Sequence, residues 1–495
     1  MKFQGFIGPA YTLNSVNVDC QACINLYPEI NELSTGKGAE VMALYGTPGL
    51  ELLATVGTGP IRLIHFDQTP VDPLNPTTRI FIASGAQMYK AVFVAGVLTA
   101  TLLGTLDTTT GPVRAASSST GLGETVFVDG ANSYLFKKTT LLESFGTFLS
   151  FGFPKVDNAT HVQNIDGYYV FNSEGTNQFF VSDVASLNID PLSFASAEGD
   201  PDNIVGIIAS TRDLILFNER TTEVFVNTGN ADFPFERVSG GFIENGCVAP
   251  FSIAKIDGIV FWLGRSAEGQ GVVFAAQGLA PQPISTSAIE SAISTYANIS
   301  TATAYTYQSR GHSFYVLNFD EATWVYDLKT RMWHERAYTN DGQLERHRGN
   351  FLAFIPEFGI HVVGDYANNK VYKFNENYYY DDTAPISCIR TSPHVSKDLE
   401  TLFLHAFQLD FEAGVGLDGI AQGTDPQVMI QYSKDGGHSW SEEMWVSLGK
   451  IGEKKRRAIL RRLGKFRDLV MRVKITDPVR RVLIGADLKV EEGVS

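Results

Sequence analysis

A chain of 495 residues with 39 Lys and Arg against 54 Asp and Glu carries a formal net charge of −15, and at roughly 150 residues per domain its length points to two to four domains. Hydrophobic residues at 44% exclude wholesale disorder. Charged residues are only 19%, and the 33 Phe, 19 Tyr and 46 Gly that fill the gap favour strands and turns over helices.

Residues 1–58 show no hairpin periodicity. The opening Met1–Pro9 lacks the apolar run of about 7–15 residues that a secretory signal needs. Asn25–Glu29 and Tyr45–Leu50 are turn-rich text suited to an extended arm or clamp. From residue 59 strand pairs of β-branched and aromatic residues recur, set off by Gly-containing turns. The apolar run Ala91–Leu106 is shorter than the ~20 residues of a membrane-spanning helix and reads as two strands around Ala95-Gly96. Asp-Gly turns follow at Asp129-Gly130, Asp166-Gly167 and Asp257-Gly258. Seven such units fit between about residues 60 and 390, near 47 residues each, the period of four-stranded propeller blades. One helix is expected at Ser287–Glu290, which has capping-box spacing, with Ile289, Ile293 and Tyr296 on one stripe. After Pro393 the text changes to the strands of a separate β-sandwich, Leu402–Phe411 through Arg481–Ala486. The expected fold is therefore all-β: an N-terminal extended arm at 1–58, a seven-bladed β-propeller at 59–394 and a C-terminal β-sandwich at 395–495.

Catalytic signals are sparse. Gly414–Gly419 fits G-x-G-x-x-G, but Asp425-Pro426 and a strand follow where a dinucleotide site needs a helix. Cys20 and Cys23 form one C-x-x-C with Cys247 and Cys388 isolated, too few ligands for zinc. No H-E-x-x-H, G-x-S-x-G or phosphate-binding loop occurs. Asp200/Asp202 and Asp381/Asp382 read as solvated turn formers. The expectation is no catalytic residue, no metal and no cofactor. Ser433, Asp435, Gly437 and Trp440 match the Asp-box pattern S-x-D-x-G-x-T-W with Ser439 for Thr. Their role is a structural turn in which Asp435 bonds backbone, Gly437 takes positive φ and Trp440 anchors the turn in the core. Sialidases carry such boxes, so a glycan-binding or glycan-cleaving propeller is the alternative. Against it, Phe354-Ile355-Pro356 lacks the arginine of the sialidase Arg-Ile-Pro motif.

The charge is uneven. Lys450–Arg481 holds thirteen basic and three acidic residues, net +10, against about −25 for the remainder. Such a segment is either a solvated basic face or a docking surface for an acidic partner, and Arg456, Arg457, Arg461, Arg462 and Lys465 are the candidate docking residues.

Tyr432–Trp440, Ser447–Glu453, Arg456-Arg457, Arg461–Gly464 and Arg472–Val479, in this order, resemble the C-terminal domain of the tail hub or nozzle (packaged-DNA stabilisation) proteins of short-tailed bacteriophages. Asn25–Tyr27, Thr47–Leu50, Asp166–Val170, Phe180–Asp183, Gly206–Ile208 with Thr222–Phe225, and Pro283–Glu290 resemble the same family, while 65–77 and 338–350 look like private insertions. The resemblance implies a non-enzymatic virion protein, assembled in the host cytoplasm. It implies a homo-hexamer below the portal-adaptor ring that extends the channel, lets double-stranded DNA pass without sequence preference, retains it and guides its ejection. A tail needle, plug, spikes or fibres would lie below. No membrane-spanning segment is expected.

Overall fold

The computed structural model describes residues 2–31, 42–67, 79–118, 124–137, 147–151, 158–266, 269–397 and 400–493. Six four-stranded antiparallel sheets or sheet segments follow one another at 61–105, 114–151, 162–196, 204–243, 254–283 and 303–340. A seventh combines Gly349–Ile355, Ile360–Asp365 and Lys370–Asn375 with Gly49–Thr55 from the other end of the chain. The first strands of successive blades lie side by side around a closed ring, except that blade four's meets the turn at Pro250–Ser252 before blade five, and that of blade seven lies against that of blade one. This is a seven-bladed propeller. The N-terminal strand that completes blade seven fastens the ring shut.

Local sequence explains the blades. Ala95-Gly96, Asp166-Gly167 and Asp257-Gly258 have positive φ at both residues, the geometry whose twist matches a two-residue hairpin. Asp129-Gly130 differs. Only Gly130 is left-handed there, and the Asp129 carboxylate instead accepts from the backbone N–H groups of Thr108, Ala131 and Asn132. Inward strand positions such as Ile80, Val126, Val170, Leu214 and Leu263 are fully buried between blades. The helix spans Ser287–Ile293, but its cap is Thr286, one residue before the expected box, with Thr286 Oγ1 accepting from Ile289 N. Ile289 and Ile293 fill the space between blades five and six. The expected insertion at 65–77 lies largely outside the described residues. That at 338–350 contains Gln343–Arg346, which pairs with the end of Met332–Asn340.

The sandwich has two sheets. One runs Leu26–Ile30, Met42–Gly46, Val482–Glu492, Leu402–Phe411, Ala458–Phe466. The other is continuous with blade six: Met332–Asn340 pairs with Cys23–Ile24, which pairs with Cys388–Thr391 and so on through Asp468–Ile475 and Gln427–Ser433 to Met444–Ser447. Phe6, Leu44, Phe407, Val428, Ile430 and Met471 share the core between these sheets. Residues 1–58 thus contribute strands to both sandwich sheets and to blade seven.

Candidate interaction surfaces

The propeller axis is closed by side chains. Arg114, opening blade two, donates Nη2 to the Phe251 carbonyl at 3.2 Å, in the turn before blade five. Its Cζ lies 5.3 Å from the centre of the Phe251 ring. Blades two and five stand on opposite sides of the ring, so this contact crosses the axis. His161 of blade three stacks on the same ring at 5.0 Å and bonds the Pro250 carbonyl through Nε2 at 3.2 Å. A carbonyl only accepts, so Nε2 carries the proton and Nδ1 accepts from Thr160 Oγ1. Burial, with Arg114 nearby, pushes the His161 imidazole down to about 3, so it is neutral. Lys255 Nζ bonds the Ala209 carbonyl, tying blade five to blade four.

The arm is locked to both domains by polar groups. Asn25, at φ 54°, donates Nδ2 to the carbonyls of Ala337 and Ser387 at 2.8 and 2.9 Å and accepts from Ala337 N at 3.0 Å. Arg390 is fully buried and meets Gly5 O, Phe6 O, Pro9 O, Ala22 O and Gln21 Oε1. His312 is bracketed by Asp327 Oδ2 and Glu29 Oε2, both at 2.7 Å. Burial alone would lower its pKa, but the bonds to Asp327 and Glu29 outweigh this and raise it. Sequence reasoning missed these residues because their partners lie some 280–385 positions away; only the Asn25–Tyr27 motif hinted at them.

The acidic pairs read as solvated are not. Asp202 is buried and accepts from Arg220 N and Thr221 N, and buried Asp381 accepts from Leu50 N at 3.2 Å. Their neighbours behave differently: Asp200 pairs with Arg220, and Asp382 with Lys370. All four cysteines are free and buried, and burial pushes the Cys23 thiol up to about 12.

The five basic candidates lie together on one flank of the sandwich. Ala458–Phe466 is an edge strand. Ala458, Leu463 and Phe466 are buried, while Arg461, Arg462 and Lys465 are exposed, as are Arg456 and Arg457 in the preceding loop. The pairing with Leu402–Phe411 shifts register opposite Leu404 and Ala406, and Arg462 and Gly464 have φ of 62° and 82°, so the edge is bulged. Among the described residues none of the five joins an ion pair. The adjoining edge of the second sheet, Met444–Ser447, carries exposed Trp445.

The turn at 433–440 stands at the other end of Gln427–Ser433. Ser433 Oγ donates to Asp435 Oδ1 at 2.7 Å and accepts from Gly437 N at 2.8 Å, while Asp435 accepts from Ser439 N at 2.9 Å. Bonds from the Ser439 hydroxyl, then its backbone, hold the exposed Asp435 carboxyl well below the usual range. Gly437 has φ 96°. Trp440 is half-buried rather than in the core, with Arg472 stacked over its ring at 3.6 Å.

Comparison with known proteins gives the following. The family described as bacteriophage P22 Gp10, beta-propeller, matches residues 17–379, and that described as bacteriophage P22 Gp10, beta-sandwich, matches residues 388–491. No curated protein matches the chain. A solved structure, the extracellular domain of a hybrid two-component system from B. thetaiotaomicron, aligns at a TM-score of 0.43 and 9% identity. That alignment covers 86% of this chain but 59% of the other. No helix of the described residues is long and apolar enough to cross a membrane.

Proposed function

The chain belongs to the bacteriophage P22 Gp10 family, and from that premise we propose that it is a structural virion protein of a short-tailed phage, forming the tail nozzle or hub ring below the portal and its adaptor. In this reading six copies extend the DNA channel, retain packaged DNA and guide its ejection, and a needle, plug, spikes or fibres attach below. The observation that carries the reading is that propeller and sandwich match this one family in order, over most of the chain. The closed axis adds a geometric condition. Because Arg114 reaches Phe251 across the propeller, a duplex has no path through a single subunit, and the conduit lies between subunits of a ring. The net charge of −15 suits such a wall, since a surface that neutralises few phosphates lets DNA slide.

The basic flank of the sandwich is the docking face. Its five unpaired cations complement an acidic surface on the adaptor or on a neighbouring copy. Exposed, bulged, basic edges also prevent strand-to-strand aggregation, and the two roles are compatible. The virion role is tested by quantitative mass spectrometry of gradient-purified particles. Half as many copies as portal subunits supports the ring. Absence from the particle overturns it and redirects attention to glycan turnover.

A further inference from the structure

Four arginines have 3% or less of their surface exposed: Arg62, Arg336, Arg390 and Arg481. A guanidinium stays charged in proteins and offers five N–H donors, so burial demands acceptors. Arg62 and Arg390 meet that demand with five contacts each, almost all carbonyls. Arg336 does not. Its Nη2 donates to Pro48 O at 2.7 Å and the Tyr307 hydroxyl lies beside the guanidinium, while Nε and Nη1 have no acceptor in hydrogen-bond geometry and no carboxylate lies within ion-pair distance among the described residues.

Its surroundings are also rich in donors. His347 is fully buried. Its Nδ1 accepts from Gly349 N at 3.1 Å, which leaves the proton on Nε2, and Nε2 has no acceptor, the nearest being Asp381 Oδ2 at 3.9 Å. The Tyr305 hydroxyl, buried beside Arg336 and Arg346, is likewise unpartnered. Arg336 and His347 border one aromatic ring, and Tyr305 lies within electrostatic reach of Arg336. Arg336 lies over the Phe374 ring at 5.0 Å and His347 stands 6.4 Å from that ring. Pro48 and Leu50, two residues apart, touch Arg336 and Asp381 respectively.

We propose that this cluster, where blades six and seven meet the closing strand, binds a small monovalent anion of the halide class through Arg336, His347 Nε2–H and Tyr305 O–H. Full burial among Phe374 and Tyr307 rings excludes a bulky or divalent oxyanion. Asp381, the carboxylate nearest His347, accepts from Leu50 N through Oδ1 and leaves Oδ2 at 3.9 Å from His347 Nε2, too far for a hydrogen bond. The anion would brace the ring closure, since its ligands come from blade six, the 347 segment and contacts of the N-terminal strand.

Crystals of the full chain soaked in sodium bromide provide the test, with unfolding measured in chloride, bromide or gluconate at equal ionic strength. The expected results are an anomalous peak at hydrogen-bond distance from Arg336 and a saturable rise in Tm of about 2 °C with halide. Tyr305→Phe, which removes only a hydroxyl, should shift that dependence to higher halide. Water alone at the cluster, or a halide effect on Tm with the bromide bound elsewhere, overturns the proposal.

Discussion

The propeller axis and the sandwich edge treat charge in opposite ways. At the axis, Arg114 and Lys255 spend their cations on backbone carbonyls of other blades, and His161 is neutral. At the edge, Arg456, Arg457, Arg461, Arg462 and Lys465 face solvent without a carboxylate partner among the described residues. Charges turned inward hold blades together, because an unpaired buried donor costs about 1–3 kcal/mol. Charges left outside contribute little to folding and are free to meet a partner. The contrast separates charges that hold the scaffold from charges left available to a partner.

The largest effect should come from breaking the scaffold at its fastening. A Cβ on Gly49 would sit 2.1 Å from the Tyr378 carbonyl and 2.4 Å from that of Tyr380. Both are backbone atoms and cannot swing aside. Gly49→Ala should therefore cost about 3 kcal/mol or more, seen as a large fall in Tm or in soluble yield. An unchanged Tm would show that the closing strand is not needed to hold the ring. Arg114→Met should cost less, about 2 kcal/mol, because it removes one charged hydrogen bond and a contact with the Phe251 ring. The measurement is again thermal unfolding, and a neutral result would mean the axis is not braced there.

Glu335 sharpens the contrast, since it is an inward-facing carboxyl that no cation pairs with among the described residues. It lines a cavity of about 330 Å³ with Thr12, Asn14, Ser291 and Trp324, and burial pushes its carboxyl up to about 7 from 4.5. A raised carboxyl pKa means that the folded state binds the proton more tightly than the unfolded one. Its contribution is thus complete below 4.5 and is lost as pH rises through about 7. Wild-type stability should fall by about 3 kcal/mol over that window from this group. Glu335→Gln should flatten that part of the curve in denaturant titrations at pH 5 and pH 8; an unaltered slope would remove Glu335 as its source.

The blades were legible in the sequence because each is local. Alternating apolar residues and turns such as Asp166-Gly167 and Asp257-Gly258 lie within a single hairpin. The arm was not, since Gly49–Thr55 pairs with Lys370–Asn375 and Cys23–Ile24 with Cys388–Thr391, and no local pattern announces a partner so distant. Asp202 and Asp381 looked like surface turn formers for the same reason: the backbone N–H groups that bury them come from other segments. Trp440 looked like a core anchor because an apolar ring usually is one, whereas Arg472 from the neighbouring strand supplies a cation to cover it instead. The basic flank was visible as a run of charge, but its concentration on one bulged edge strand emerged only from the pairing.

The edge itself gives the smallest effect on folding and the one that bears most on function. Reversing Arg456, Arg457, Arg461 and Arg462 to Glu removes no buried contact, since all four are exposed. Stability should change by no more than about 0.5 kcal/mol. Attachment to the portal-adaptor complex should weaken, and a salt titration separates the two accounts of these cations. If they dock on an acidic surface, wild-type attachment declines as salt rises while the reversed variant is poor even at low salt. If they only guard a free edge, attachment is unchanged at every salt and the variant instead self-associates less or equally, because glutamates keep an edge as charged as arginines do. Attachment unchanged across the titration would leave the docking role without support and return the flank to the scaffold side of the comparison.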